Sequence, residues 1–258
     1  MDGVLADMDT ALAALAEQEF GRAPAAKREA ATPEPADAPT PADGAGATAP
    51  EASASAGASP SASPSAPAGP AELPTTAVLE KLTSRQQTRL WNRVADTRNF
   101  WEGLLEHEPG TVRHLQKLAH DRRWDVLFVT QRPSTTGRTV QLQTQHWLRR
   151  HGFDCPSVYT TLGSRGKIAA ALTLDVHVDD RLNNAMDIAT ESKAWSILVW
   201  RDEATFTRIS TGAAQFGIAT VRTVGEAIAK IEDADKASAE QAAQGTLMGK
   251  LKRVFRGR

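Results

Sequence analysis

A single cysteine, Cys155, occurs in 258 residues, so no disulfide can form within the chain. Such usage suits a reducing compartment. An excess of charge of one sign is also missing. Thirty Lys and Arg against 31 Asp and Glu leave a net charge of −1, which gives no bulk attraction to long nucleic acid or to an anionic membrane. No apolar run approaches the roughly 20 residues that cross a bilayer. The opening "MDGVLADMD" is acidic and lacks the basic start and apolar run of a secretion signal. The expectation is a soluble, cytoplasmic protein.

Aromatic and large aliphatic residues are almost absent from one long stretch. Residues 23–75 hold eleven of the 14 prolines, no aromatic, and one large aliphatic residue, Leu73. Such a segment buries too little apolar surface to offset its ordering entropy, so it is expected to be a disordered insert, partly polyproline-like. The foldable chain is then residues 1–22, a helical segment at 76–108 and a main part at 109–235, with a basic tail at 236–258.

Helical spacing of Met8, Leu12 and Leu15 predicts a first helix that stops near Gly21. Leu79, Leu82, Leu90 and Val94 predict a second helical stretch ending near Asn99, and Val112, Leu115 and Leu118 a third after Pro109. The period then changes. "DVLFVT", "SVYTT", "DVHVDD", "WSILVW" and "IATVRTV" read as strands. Helices are expected between them at "TVQLQTQHWLRRHGF", "GSRGKIAAALTL" and "RLNNAMDIATES", and after them at "GEAIAKIEDAD". Alternation of this kind predicts an α/β fold with a parallel sheet. The tail "GTLMGKLKRVFRGR" is basic and mildly amphipathic, with Leu247, Leu251, Val254 and Phe255 on one side. It reads either as a solvated end or as a contact for an acidic surface or a membrane.

In open α/β sheets, ligands bind at the carboxyl ends of the strands. These strands deliver Thr130, followed by Gln131 and Arg132, and the pair Asp179 and Asp180. Lys167 opens a helix, and the N-terminal piece brings Asp2 and Asp7. Carboxylates suit a hard cation, and a hydroxyl, an ammonium and backbone N–H groups suit phosphate oxygens. Each residue also has a plain reading: Thr130 and Asp180 as turn or cap residues, "GSRGK" as a polar loop.

The order of these motifs resembles the haloacid dehalogenase-like superfamily, most closely its 5'(3')-deoxyribonucleotidase type. That family's first motif is a strand ending in Asp-x-Asp-Gly-Val/Thr-Leu-x-Asp, and "MDGVLAD" matches from the second position onward. "VLFVTQRP", "GSRGKIAAAL" and "HVDDRLNNAMDI" match the other three motifs at Thr130, Lys167 and Asp179–Asp180, and residues 90–119 are similar to the helical cap and its return. The resemblance implies a Rossmann-like parallel sheet flanked by helices, with a small helical cap. It implies a magnesium-dependent phosphomonoesterase, a nucleotidase among the options, that acts on a small phosphorylated substrate through an aspartyl-phosphate. It assigns catalysis to Asp2 as acid/base with Thr130 and Lys167 on the phosphate. Mg2+ falls to Asp2, Asp179 and Asp180, and substrate contacts to Gly3, Gln131, Phe100 and Trp101. The two aromatics equally read as cap-to-core packing.

The nucleophile of that register falls one position before Met1. Three arrangements stay open. A start upstream restores "DMDGVLAD"; a shifted register makes Asp7 the nucleophile and Asp9 the acid/base; or the aspartate is lost and the fold is a non-catalytic binding module.

Overall fold

The computed structural model describes residues 1–21 and 78–256, with side chains up to residue 240. The expected insert at 23–75 lies outside the described residues. Met1–Gly21 belongs to the same compact unit as the chain from Glu72 onward. Among the described residues no helix is long and apolar enough to cross a membrane.

The fold is α/β. After β1 (Ala6–Asp7), helix α1 (Met8–Phe20) starts on Asp7, whose side chain accepts a hydrogen bond from the Thr10 amide. Gly21 closes it at φ 73°, a conformation that costs a side chain but not glycine. The predicted second helix divides. Leu79–Lys81 is a 3-10 turn, and α2 (Ser84–Asp96) starts afresh on a capping box between Thr83 and Gln86. A second 3-10 turn, Phe100–Gly103, leads into β2 (Leu105–Glu106), which pairs antiparallel with β1. The cap-like segment is thereby tied to the N-terminal piece.

The predicted βα alternation follows: α3 (Thr111–Arg122), β3 (Leu127–Thr130), α4 (Val140–Arg150), β4 (Ser157–Thr160), α5 (Arg165–Ala171), β5 (Val176–Asp179), α6 (Leu182–Glu191) and β6 (Trp195–Val199). Then come α7 (Glu203–Ala214), β7 (Ala219–Val221) and α8 (Val224–Arg256). All five later strands pair in parallel, but in two separate pieces, β3–β4 and β5–β6–β7. The sequence reading expects one parallel sheet; the described strands pair in two pieces, and β3 and β5 share no ladder. Two further departures concern helices. α7 has no counterpart in the sequence reading, and the tail read as separate from the last helix continues α8 without a break to Arg256.

One core links the pieces. Leu12, Leu90, Val94, Trp101, Val112, Trp147, Leu148 and Ile197 are fully buried within it. Each such side chain contributes about 1.5–3 kcal/mol of burial. Trp147 also satisfies its indole N–H on the Leu104 carbonyl at 2.7 Å, as a buried polar group must. The core thus fixes the ends of β3 and β5 and the N-terminal turn on one side of the molecule, where the charged residues meet.

Candidate functional site

The N-terminal turn builds the first wall. The Gly3 amide donates to the Ala6 carbonyl at 3.0 Å and the Leu5 amide to the Met1 carbonyl at 2.9 Å. Gly3 sits at φ 70°, and a Cβ there would lie 1.7 Å from Asp180 Oδ2. The glycine is required twice, by its backbone conformation and by the carboxylate against it. Arg201, after β6, holds the turn from another side. It donates to the Gly3 carbonyl and, at 3.1 Å, to the Val4 carbonyl. Glu108 anchors Arg201 at 3.1 Å and accepts from the Val224 and Gly225 amides at 2.8 and 3.0 Å.

Asp2 leaves this turn toward the end of β3. Thr130, 1% exposed, donates its hydroxyl to Asp2 at 2.9 Å. Arg132 grips the same carboxylate with Nε, 2.9 Å from both oxygens, and with Nη2. Its guanidinium is fully buried. It donates to Thr144 Oγ1 at 2.9 Å and lies 4.9 Å from the centre of the Trp101 ring. Burial pushes the Asp2 carboxyl up, but the charge and hydrogen bonds of Arg132, with the Met1 ammonium and Thr130, outweigh it and hold the group below its usual value.

The end of β5 supplies the paired aspartates. Asp179 is buried and accepts from the Arg181 amide at 2.9 Å and from Asn184 Nδ2 at 3.0 and 3.1 Å. Asp180, beside Gly3, has the opposite environment to Asp2. Burial first, then the neighbouring charge of Asp179, raises it to about 7.

The start of α5 changes the expected cation. Ser164 caps the helix and accepts from the Lys167 amide at 3.1 Å. Lys167 itself is exposed, and its charge is felt at Asp187. Arg165, two residues earlier, is the buried one at 8% exposure. Its Nη1 has no hydrogen-bond partner. Its charge acts on Asp179 and Asp2, while burial lowers its pKa. Gly166 lets α5 approach α6 so closely that a Cβ there would lie 2.4 Å from the Asp187 carbonyl oxygen.

Asp2, Thr130, Asp179, Asp180 and the Gly3 turn therefore lie together. Lys167 stands at the rim. Gln131 is partly buried between Thr130 and Arg132. Phe100 and Trp101 make an edge-to-face pair with centres 5.0 Å apart. Trp101 has no exposed surface, and its indole N–H donates to the Pro133 carbonyl at 3.0 Å. It is a packing residue and cannot stack on a base without the surrounding core opening. Asp7, the nucleophile of the shifted register, is occupied as the α1 cap and stands 4.0 Å from His107. Asp9 Oδ1 is buried without a partner.

Arg132 and Arg165 are the site residues that sequence reasoning missed. Arg132 was visible only as the second residue after Thr130. Arg165 was visible only as a second cation in "GSRGK", where the family pattern points to the lysine.

Among the described residues no group of three or more His, Cys, Asp or Glu side chains stands ready to hold a metal ion. Arg132 already occupies Asp2, and Asn184 and the Arg181 amide occupy Asp179. Asp180 does fit a cation, since a carboxyl raised by burial and a like charge gains from a positive neighbour. Comparison with protein-family models, curated proteins and solved structures finds no match for this chain.

Proposed function

We propose that the protein is a magnesium-dependent phosphomonoesterase of the haloacid dehalogenase-like kind, acting in the cytoplasm on small phosphorylated substrates, nucleotides among them. The observation that carries this reading is the meeting of Asp2, Thr130, Asp179 and Asp180 at the ends of β3 and β5 with Arg165 at the start of α5, whose Nη1 has no hydrogen-bond partner. In this reading the two parallel pieces are halves of one Rossmann-like sheet. The free Cys155 suits a reducing compartment.

The covalent step needs a carboxylate nucleophile. The Met1 ammonium lies 3.5 Å from the Val129 carbonyl on β3, and its charge acts on Asp2, Asp180 and His177. In this reading the nucleophile is an aspartate joined to that nitrogen. Arg165, with Lys167 at the rim, neutralises phosphate oxygens, and Thr130 fixes Asp2. The ionised Asp2 has the protonation state, but a lowered proton affinity, for taking a proton from water. Magnesium would be held through Asp180, beside Asp179, and would supply charge neutralisation at the phosphoryl group.

The clamp of Arg132 on Asp2 favours a second reading, a phosphate-binding or protein-interaction module without turnover. A carboxyl held low by a buried guanidinium is a poor acid for a leaving group. One experiment separates the two. An aspartate is inserted ahead of Met1 and p-nitrophenyl phosphate hydrolysis is followed with magnesium. Hydrolysis that is lost in EDTA and in Asp180→Asn supports the enzyme. Vanadate binding without hydrolysis supports the module, and full hydrolysis in EDTA refutes the magnesium mechanism.

A further inference from the structure

We propose that the C-terminal end of α8, residues 246–256, is an interfacial helix that docks the protein on an anionic lipid surface. The proposal is independent of the phosphatase reading. α8 is anchored at its start, where Val224, Ala227 and Ile228 are buried in the core. Arg122 on α3 reaches Glu232 at 3.7 Å and Asp235 at 3.5 Å. From Lys236 to Glu240 every side chain is exposed. The helical backbone then runs on to Arg256, a further ~24 Å at the α-helical rise.

The sequence of that extension is segregated in two ways. Residues 241–256 contain Lys250, Lys252, Arg253 and Arg256 and no Asp or Glu, in a chain whose total charge is −1. On the helical period of about 100° per residue, Val254, Leu247, Leu251, Phe255 and Met248 fall within a sector of about 120°. The four cations fall in the remainder. Gly245 and Gly249 each weaken the helix by about 1 kcal/mol, so propensity does not hold this end. In this proposal the lipid surface that takes up the apolar sector holds it.

The pattern selects among occupants. A nucleic acid would use the cations and leave the apolar sector in water. An apolar protein groove uses the sector and, unless its rim is acidic, leaves the cations idle. A lipid interface uses both at once, acyl boundary against one side and acidic headgroups against the other. The segment is far too short to span, which takes roughly 20 residues.

The test is co-sedimentation of the full chain with phosphatidylcholine vesicles, with and without phosphatidylserine at about one lipid in three. Binding is expected only with phosphatidylserine and to weaken with salt. Each of Lys250→Gln and Arg253→Gln should lower affinity about fivefold, the equivalent of one interfacial charge. Leu251→Glu with Phe255→Glu should abolish binding, as should truncation after Glu240, with thermal melting of the core unchanged. No binding to either vesicle overturns the proposal. So does binding that survives Leu251→Glu with Phe255→Glu, which would reduce the segment to a basic tail. Preference for RNA over vesicles of equal charge overturns it as well.

Discussion

The bare Cα of Gly3 lies against the carboxylate of Asp180, so that a Cβ at Gly3 would stand 1.7 Å from Oδ2. Two residues far apart in sequence thus share one space, and the N-terminal turn and the end of β5 cannot be separated. Gly3→Ala has to adopt φ 70° and displace Asp180. The left-handed conformation alone costs about 1–2 kcal/mol, and the displaced carboxylate adds to it. Urea unfolding should show a loss of at least about 2 kcal/mol, and a midpoint unchanged from the parent would contradict this packing.

Asp180 also sets a pH dependence. Its folded pKa is about 7, above the unfolded value near 3.8, so between these values the folded state holds the proton more tightly. Stability from this group is full at low pH and declines as pH rises from about 4 to about 7. Asp2 works in the opposite sense. Its pKa is lowered, so its contribution is present above the unfolded carboxyl range and lost as pH falls below it. Asp180→Asn should flatten the decline between pH 4 and 7. It should also raise stability at pH 7.5 by a few kcal/mol, since each tenfold change in proton affinity is worth about 1.4 kcal/mol. Denaturant unfolding at several pH values checks both slopes.

Magnesium should act in the same window. A cation near Asp180 gains most when that carboxyl is ionised, so the rise in Tm with added magnesium should be larger at pH 8 than at pH 5.5. Asp180→Asn should remove the difference. A shift independent of pH would place magnesium elsewhere.

Arg132 and Asp2 form a buried ion pair, with side-chain exposures of 0% and 12%. Arg132→Met leaves Asp2 charged with only Thr130 and the Met1 ammonium to support it, and should cost about 3–5 kcal/mol. Asp2→Asn should cost less in the Arg132→Met background than alone. Additive losses would show that the pair does not act as a unit.

Arg165 and Lys167 should separate in ligand binding. Nη1 of buried Arg165 lacks a partner, whereas Lys167 is exposed. Arg165→Gln should weaken vanadate binding by at least about tenfold, the value of one charge-assisted hydrogen bond. Lys167→Gln should weaken it less. The reverse order would return the main cationic role to Lys167.

Local pattern and chain order determined much of this protein. Apolar runs such as "VLFVT" and "WSILVW" become β3 and β6 because side chains of that type and spacing pack on a buried sheet, and Thr130 and Asp179 end their strands as the alternation requires. α7 escaped because "EATFTRISTGAA" buries only Ala213, which leaves no apolar stripe to read. Tertiary structure alone decided the rest. The Arg132 clamp on Asp2, 130 residues apart, the burial of Arg165 in place of Lys167, and the closure of Trp101 inside the core all depend on which surfaces meet. So does the division of the parallel strands into two pieces. A sequence fixes the period of each element through its own side chains, but the partner of a charge and the exposure of a ring are properties of the assembled core.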